Sequence, residues 1–373
     1  MRLIVICKAL DRPESFILKG LHERGETVTV LLTHENQHSQ MLGSCGIRIA
    51  PFPLRSRLDF LGALRLRSFV RKNGADVVYA LSNAAISAAN LGLVGTRIPI
   101  VAYRGTIGNL SAWDPSCWLT FLNPNISKIV CVSQATERDL HRVGLPRNRT
   151  VTIYKGHDVD WYSVPPPCSR ESIGIPSGAF VVGCTAAIRA GKGVGDLLEA
   201  CKSLLSEVPS LHLLLIGSID DDALTAAIAS FPEPHRIHMT GFRADAPQLA
   251  TLCDVTVLAS RRREGFPKSV VEAMSQGVPP IVTSVGGMPE LVAHGEAGIV
   301  VPPSDPEALA GAIRALAQNE PLRLALGAAA KARIKTKFGV ERSIALMQKL
   351  FQALAAESFR SSANTELLSA ATR

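Results

Sequence analysis

The sequence lacks the features that mark several large classes of protein. No apolar run reaches the roughly 18 residues of a membrane-spanning helix, and the apolar start at residues 3–7 is too short for a signal peptide. Aromatic residues make up only 5% of the 373 residues, and no nucleic-acid-binding motif is present. These absences argue against a membrane span, a secretory leader and nucleic acid as a partner.

Regularly spaced cysteines are also missing. The eight cysteines are scattered and form no C-x-x-C pair, and several lie in apolar stretches typical of strands. A secreted disulfide framework or a zinc site would need a regular spacing. We therefore expect reduced, buried thiols and a cytoplasmic protein.

Common nucleotide and metal motifs are absent or out of context. Neither G-x-G-x-x-G, the P-loop nor G-x-S-x-G occurs, so classical dinucleotide binding, P-loop chemistry and a hydrolase elbow lack support. His34–His38 matches the zinc pattern H-E-x-x-H, but it follows a β-branched strand among polar residues, which indicates a surface loop. Two D-x-D patterns, Asp158–Asp160 and Asp220–Asp222, suit either a divalent metal beside phosphates or helix capping. We favour capping and predict no metal.

The length and the pattern of elements predict two α/β domains. A chain of 373 residues exceeds one ordinary domain, and strand and helix signals alternate in both halves, which is typical of parallel sheets covered by helices. The proline-rich segment 164–169 reads as a linker. We predict domains at 1–164 and 165–340, with a ligand cleft between them, a helix at 341–357 packing back on the first domain, and a disordered tail at 358–373.

The net charge of +8 belongs to the first half of the chain. Residues 1–150 hold 19 Lys and Arg against 10 Asp and Glu, whereas residues 151–373 hold 21 against 22. The positive charge is densest in Arg55–Lys72, where it alternates with apolar residues. Such a segment suits either a solvated helix or peripheral docking on an anionic membrane, which would place the protein at the inner face.

Two carboxylates, Glu264 and Glu272, dominate the second half. Glu264 follows the apolar run 254–259, which predicts a buried strand, and Glu272 lies on the predicted helix 269–276. Open α/β sheets bind ligands beyond the carboxyl ends of their strands. Alone, the two acids also fit a solvated helix cap.

Other loops after predicted strands carry groups that suit a nucleotide. Arg189 and Lys192 lie in a glycine-containing loop after the strand 180–185, and two cations with free amides suit a diphosphate without metal. Gly286 and Gly287 also follow a strand and open a helix. Together with the loops at 217–218 and 240–243, these segments predict a nucleotide-sized site.

Here the chain resembles a known family, the retaining glycosyltransferases of family 4 with the GT-B fold. The resemblance covers about residues 179–317 and centres on the E-x7-E motif within EGFPKSVVEAM, followed by GVPPIVTSVGGMPELV and the strand Gly298–Val301. It implies an α/β architecture of two Rossmann-like, doubly wound parallel sheets facing across a cleft. It also implies a subfamily similar to bacterial lipopolysaccharide and polysaccharide transferases.

The resemblance implies a role for each matched residue. Glu272 would bind the ribose of a nucleoside diphosphate, Glu264 the hydroxyls of the transferred sugar, and Arg189 and Lys192 the diphosphate. The remaining candidates would line the donor: Gly265, Phe266, Pro267, Lys268 and Gly217 beside the phosphates or sugar, Gly286 and Gly287 as an anion or hydroxyl site, and Met239, Gly241 and Phe242 at the base.

The sequence departs from the family at three places. Ala187 stands where members often have arginine, Lys155–Asp158 where Asn-Gly is common, and Tyr103-Arg104 where a histidine is common. Arg104 is therefore a candidate for acceptor or phosphate contact at the rim of the first domain, with a surface arginine as the alternative.

The implied reaction is glycosyl transfer with retention, without a resident cofactor. A nucleoside-diphosphate sugar, with UDP favoured over GDP, would donate to a glycan or lipid-linked acceptor, and no carboxylate need act as nucleophile. The alternatives are a non-catalytic GT-B-like binding partner and a GT-B epimerase or phosphorylase, although no cofactor-bearing lysine region suits a phosphorylase.

Overall fold

The architecture comes from a computed structural model that describes residues 1–166 and 168–371, with side chains described up to residue 360. The chain folds as two compact units. The first comprises residues 1–156 and the C-terminal residues from 340 onward, and the second comprises residues 157–339. The division falls before the predicted boundary at 164/165, so residues 157–164 belong to the second unit.

The first unit is built on a seven-stranded parallel sheet in the order β3-β2-β1-β4-β5-β6-β7. This strand order, in which the chain starts in the centre and reverses direction once, is that of a doubly wound Rossmann-like sheet. The strands are β1 (Arg2–Cys7), β2 (Thr27–Leu32), β3 (Arg48–Pro51), β4 (Val77–Ala80), β5 (Ile100–Arg104), β6 (Ile126–Cys131) and β7 (Thr150–Thr152).

Helices of the first unit connect these strands, and one returns from the end of the chain. Strand β1 is buried from Leu3 to Cys7 because helices cover both faces of a parallel sheet, and each fully buried Leu or Ile contributes roughly 1.5–3 kcal/mol. The helices are α1 (Arg12–Glu23), α2 (Gln37–Ser44), α3 (Phe60–Asn73), α4 (Asn83–Gly92), α5 (Pro115–Trp118) and α6 (Gln134–Arg142).

The second unit repeats the same topology with six parallel strands. Their order, β10-β9-β8-β11-β12-β13, again puts the first strand of the unit in the centre. The central strands are largely apolar and buried, and they form the main core of this unit. The strands are β8 (Phe180–Thr185), β9 (Leu211–Ile216), β10 (Ile237–Met239), β11 (Val255–Leu258), β12 (Pro280–Thr283) and β13 (Ile299–Val301).

Seven helices of the second unit and the last helix of the first complete the described elements. Three of these described helices begin at an acid or asparagine whose side chain caps the first turn, as Asp305 does by accepting from the amide of Ala308. They are α7 (Val194–Leu204), α8 (Asp222–Ala229), α9 (Ala246–Leu249), α10 (Lys268–Ser275), α11 (Met288–Val292), α12 (Pro306–Gln318), α13 (Glu320–Lys337) and α14 (Val340–Ala371).

The last helix, α14, packs on α1 within the first unit. A Cβ on Gly20 of α1 would lie 2.3 Å from Cδ1 of Ile344, so the two helices approach closely at this point. The ring of Phe351 lies 5.3 Å from that of Tyr79. Helix α14 continues to Ala371 and thus includes residues 358–371, which the sequence predicts as a disordered tail; residues 372 and 373 of that prediction lie outside the described part.

Local structure also corrects or confirms several motif interpretations. The H-E-x-x-H pentad is not wholly a loop, because Asn36 caps α2 and the helix begins at Gln37. The predicted capping role is confirmed for Asp221, whose side chain accepts from the amide of Leu224 at the start of α8. Asp158 likewise caps the short 3₁₀ turn at 159–162.

The expectation of free and largely buried thiols agrees with the described chain. All eight thiols are free there, and six of them are buried, namely Cys7, Cys117, Cys131, Cys184, Cys201 and Cys253. Burial raises the pKa of Cys184 to about 12, which keeps this thiol protonated and unreactive at neutral pH. Within the described residues, no helix is long and apolar enough to cross a membrane.

Candidate functional site

The candidate site lies where the second sheet reverses its strand order, between β8 and β11. The two strands are hydrogen-bonded neighbours, with Val182 opposite Val255. The loop after β8 carries Arg189 and Lys192, and the loop after β11 carries Glu264. A reversal of this kind opens a crevice at the carboxyl ends of the strands, which is where doubly wound sheets hold ligands.

Two glycines let the loops at this edge approach each other. Gly193 has a φ of +68°, and a Cβ there would lie 1.9 Å from the carbonyl oxygen of Ala259. Gly217, with a φ of +148°, would place a Cβ 1.8 Å from the carbonyl oxygen of Ala186. Any side chain at either position would push apart the loops that carry the charged residues.

Lys192 and Glu264 form an ion pair across the two loops. The Lys192 ammonium lies 2.6 Å from Oε1 of Glu264, and the hydroxyl of Ser260 donates to the same oxygen at 2.5 Å. Glu264 is only 7% exposed. A carboxylate so far removed from water requires such donors, so the pair and Ser260 hold Glu264 in one place.

Neighbouring loops hold the backbone of the Glu264 loop. The amide of Gly287 donates to the carbonyl of Glu264 at 3.0 Å, and the hydroxyl of Thr283 donates to the carbonyl of Ser260 at 2.5 Å. Gly286, with a φ of +60°, makes the turn into α11. The two glycines therefore support the Glu264 loop and do not line the cavity described below.

A second link joins the loops on the side of α7. The guanidinium of Arg261 donates to both oxygens of Asp196, at 2.8 and 3.0 Å, and its backbone amide donates to the carbonyl of Gly191. The hydrogen bonds to Asp196 raise the pKa of Arg261. The loops after β8 and β11 are thus fixed to each other by side chains as well as by backbone packing.

Glu272 lies one helical turn beyond Lys268 on α10. Its carboxylate is 3.3 Å from the Lys268 ammonium, and the residue is only 6% exposed. Glu264 precedes α10 and Glu272 lies within it, so the eight-residue spacing puts both carboxylates on one cavity. Among the described residues, no side chain caps the start of α10 at Pro267, which leaves its first amides to other partners.

A cavity of about 670 Å³ joins these groups, and we call it the switch-point cavity. Cavities of 300–1,000 Å³ suit small ligands. Its lining comes from the loops after β8, β9, β10 and β11 and from the first turns of α10. Eight residues predicted from the sequence line it: Arg189, Lys192, Gly217, Phe242, Glu264, Pro267, Lys268 and Glu272.

Other predicted donor residues lie outside the lining of this cavity. The ring of Phe266 packs edge-on against Phe338 at 5.2 Å, and Met239 is 55% exposed at the end of β10. The carbonyl of Gly241 accepts from the amide of Gly217, so Gly241 braces the loop after β9. Gly265 precedes α10 and is buried.

Arg104 lies in the first unit and is not at a surface rim. The residue is 5% exposed, its guanidinium stacks over Phe121 at 4.7 Å and donates to the carbonyl of Gly108. Burial lowers the pKa of Arg104. The expectation of a rim or surface arginine is therefore wrong, because the loop after β5 folds back over the side chain.

The first unit has its own half-buried charge cluster, which the sequence does not reveal. The ammonium of Lys155 lies 2.5 Å from Asp11 and 2.9 Å from Glu14, beside the ring of Tyr103. Burial alone would lower the pKa of Lys155, but Tyr103, Glu14 and Asp11 raise it above its ordinary value. The cluster ties the segment after β7 to the start of α1.

Sequence reasoning also missed groups that shape the switch-point cavity. Ser260 and Asp196 carry no recognisable motif, and only the packing of the loops brings them to Glu264 and Arg261. In contrast, the run Arg261–Arg263 directly before Glu264 is visible in the sequence. No group of three or more His, Cys, Asp or Glu side chains in the described residues is arranged for a metal ion.

The fold and the site define a two-domain glycosyltransferase of the GT-B type. Residues 168–333 match the family described as glycosyl transferases group 1, and residues 17–161 match glycosyltransferase family 4. The two matches together span most of the chain, which therefore belongs to these glycosyltransferases.

Several known proteins are similar to this chain in sequence or in structure. The chain is 23% identical to N-acetyl-alpha-D-glucosaminyl L-malate synthase of Bacillus anthracis, over 79% of this chain and 78% of that protein. It is 26% identical to the lipopolysaccharide core biosynthesis mannosyltransferase LpsB of Rhizobium meliloti, over 64% and 68%. The crystal structure of Anabaena HepE with UDP-glucose superposes with a TM-score of 0.77 at 22% identity, over 95% of this chain and all of that one.

Proposed function

We propose that this protein is a retaining, metal-independent glycosyltransferase that uses a nucleoside-diphosphate sugar, with UDP preferred to GDP as the nucleotide. The acceptor is a hydroxyl of a glycan or lipid-linked glycan in the synthesis of cell-envelope polysaccharide or lipopolysaccharide. One observation carries the proposal: Lys192, Glu264 and Glu272 line a single cavity at the strand-order reversal of the second sheet. The similarity to HepE, which binds UDP-glucose, and to the lipopolysaccharide core mannosyltransferase LpsB supports the donor and the pathway.

We assign the nucleotide to the Glu272 side of the switch-point cavity. Glu272 accepts hydrogen bonds from the ribose hydroxyls, and Phe242, which lines the cavity, faces the base. Arg189 and Lys192 hold the diphosphate, together with the first amides of α10, because cations and free amides both attract phosphate. Glu264, fixed by Lys192 and Ser260, accepts from hydroxyls of the transferred sugar.

The reaction breaks the bond between the anomeric carbon and the diphosphate oxygen. The acceptor oxygen then bonds to the anomeric carbon from the face of the leaving group, and its proton moves to the departing phosphate oxygen. Arg189 and Lys192 stabilise the negative charge that grows on the diphosphate, and electrostatic stabilisation of this kind is often the largest contribution to catalysis. Neither Glu264 nor Glu272 acts as a nucleophile or base.

We assign Arg104 a positioning role on the acceptor side. Its guanidinium holds the loop 105–109 through Gly108, whose amide donates to Asp139 at 2.7 Å. Its Nε is buried without a partner in the described residues. Contact with an acceptor or phosphate would therefore require this loop to move.

We further propose that the first unit docks on an anionic membrane at the inner face. Leu58, Phe60, Leu61 and Leu64, before and in α3, are each more than half exposed, and Trp113 is 95% exposed. The guanidinium of Arg57 donates to Ser116 at 2.8 Å, which brings the segment 111–118 beside the start of α3. We call this surface the apolar–basic face; its exposed cations are Arg55, Arg57, Arg65, Arg71 and Lys72.

The charge of the apolar–basic face favours lipid over a protein partner. Asp59 is the one acid in the segment 55–72, and its side chain is turned inward to cap α3 through the amide of Gly62. Apolar side chains surrounded by cations insert at the headgroup boundary of anionic bilayers. Docking there would bring the enzyme to a lipid-linked acceptor.

A panel of nucleotides tests the donor assignment. The melting temperature of the protein is measured with UDP, GDP, ADP and CMP at one common concentration, set at about 100 times the dissociation constant of UDP, where UDP stabilises by about 2.7 kcal/mol. We expect the largest shift with UDP and its loss in Glu272→Ala. Equal shifts in the wild type and Glu272→Ala would contradict the site, and no shift with any nucleotide would contradict the function.

A further inference from the structure

A second cavity, of about 320 Å³, adjoins the switch-point cavity. We call it the arginine cavity, and its lining is Arg189, Gly191, Lys192, Arg262, Arg263 and Glu264. The two cavities share Arg189, Lys192 and Glu264. The arginine cavity includes none of Gly217, Phe242 and Glu272, so it lies on the sugar side of the proposed donor site.

The arginine cavity has an uncompensated positive charge. Its one carboxylate, Glu264, is paired with Lys192 at 2.6 Å. The guanidinium groups of Arg189, Arg262 and Arg263 have no protein hydrogen-bond or ion-pair partner in the described part of the chain. By contrast, the neighbouring Arg261 is held in a two-bond pair by Asp196. Three open guanidinium groups therefore face a space the size of a small ligand, and two of them, Arg262 and Arg263, are not shared with the proposed diphosphate site.

The backbone holds one of these arginines, Arg263, in a strained conformation. Arg263 has a φ of +65°, which is rare for any residue with a branched or long side chain. Arg261 anchors the loop through Asp196 and through the carbonyl of Gly191. Arg263 thus lies between the anchored Arg261 and Glu264. Backbone strain of this kind is concentrated at functional sites.

We propose that the arginine cavity binds an anionic group, a carboxylate or phosphate, carried by the transferred sugar or by the acceptor. Guanidinium groups suit both because their paired N–H donors match two oxygens of either group. This inference rests on the proposed function for its substrate, since the cavity begins where the sugar would lie. The substrate therefore carries an acidic group on the transferred sugar or on the part of the acceptor next to it.

Binding of inorganic phosphate tests the cavity without turnover. Isothermal titration calorimetry measures phosphate binding to the full chain saturated with UDP, for the wild type and for the double variant Arg262→Gln/Arg263→Asn. Asparagine is chosen because it tolerates a positive φ. Lys331→Gln/Lys335→Gln, which removes two exposed cations from α13, is the control for net charge.

We expect the double variant to bind phosphate at least tenfold more weakly and UDP as tightly as the wild type, while the control variant binds both unchanged. Equal phosphate binding in the wild type and the double variant, or none in the wild type, overturns the proposal. Failure of the wild type to bind UDP counts instead against the proposed function, and phosphate is then titrated without UDP.

Two pairs of substrates distinguish the source of the anion. The donor pair is UDP-glucuronate and UDP-glucose, and the acceptor pair is a polyprenyl-diphosphate-linked sugar and the same sugar as a neutral alkyl glycoside. The double variant should lose at least tenfold in kcat/KM for the anionic member of one pair and less than twofold for its neutral member. A loss that is equal for charged and neutral members of both pairs overturns the proposal.

Discussion

The ammonium of Lys192 lies 2.6 Å from a carboxylate oxygen of Glu264 and joins the loops that follow two neighbouring strands, β8 and β11. One contact thus links the group assigned to the diphosphate with the group assigned to the sugar. Both side chains are largely buried, so each charge depends on the other for the stabilisation that water would otherwise supply.

Lys192→Met should destabilise the second unit by about 1–3 kcal/mol, because Glu264 loses its charged partner and keeps only Ser260 as a side-chain donor. The estimate is lower than for a fully buried pair because the Lys192 side chain is 22% exposed. The double variant Lys192→Met/Glu264→Gln should recover part of the loss. Urea denaturation of the two single variants and the double variant measures this, and strictly additive losses would contradict the coupling.

Glu272→Gln should weaken the use of a nucleotide sugar by about 10–100-fold in kcat/KM, since hydrogen bonds to a charged group contribute about 1.5–3 kcal/mol. The variant keeps the size of the side chain, so its fold should persist. Steady-state kinetics with UDP-sugars check this. Glu199→Gln, at an exposed position on α7, is the matched control and should leave kcat/KM unchanged.

Gly193→Ala should destabilise the protein by more than about 2 kcal/mol, because a methyl group would lie 1.9 Å from the Ala259 carbonyl at a φ of +68°. Gly178→Ala is the control, since its Cβ would meet open space. Thermal unfolding of both variants measures the difference. Equal melting temperatures for the two would mean that the loops after β8 and β11 are not closely packed.

Stability should fall on acidification below the ordinary histidine pKa of about 6.5. Burial lowers the pKa values of His212 and His238, whose ring nitrogens lie 2.9 Å apart. The unfolded chain then binds more protons than the folded one, so the free energy of unfolding decreases as pH falls through this window. His238→Phe should flatten the slope of unfolding free energy against pH. The control His34→Asn, at an exposed position, should keep the slope of the wild type. If His238→Phe also keeps that slope, the prediction is contradicted.

The apolar–basic face should bind anionic vesicles through both of its components. Phe60→Ser/Leu61→Ser should weaken co-sedimentation with any vesicle, whereas Arg71→Gln/Lys72→Gln should weaken it for anionic vesicles alone. Each cation near such a surface contributes about 1 kcal/mol, so the second variant should lose roughly 30-fold. Lys331→Gln/Lys335→Gln is the control, and unchanged partitioning of both test variants would contradict docking at this face.

The sequence predicted the strand alternation and the position of Glu264 and the Arg189–Lys192 loop at one edge of the second sheet, because buried parallel strands are continuous apolar runs. It did not predict the helix α2, whose short polar sequence has no apolar stripe. Nor did it predict the burial of Arg104, which depends on the path of the loop 105–109. Contacts that depend on loop packing, such as the one between Ser260 and Glu264, are not indicated by any pattern in the local sequence.

The domain boundary shows the same limit. The prolines at 165–167 suggested a linker there, but residues 157–164 pack with the second unit, where the amide of His157 donates to the carbonyl of Phe338. A composition shift marks a turn-rich segment, whereas the division between units depends on contacts far apart in sequence.

The most direct test of the central claim is transfer from a UDP-sugar to a sugar acceptor, with UDP release and the anomeric configuration of the product measured by NMR. We predict a product with the configuration of the donor, a loss of at least about 100-fold in turnover for both Lys192→Ala and Glu272→Ala, and wild-type turnover for Glu199→Gln. An inverted product, no transfer by the wild type, or wild-type turnover in both site variants would contradict the account.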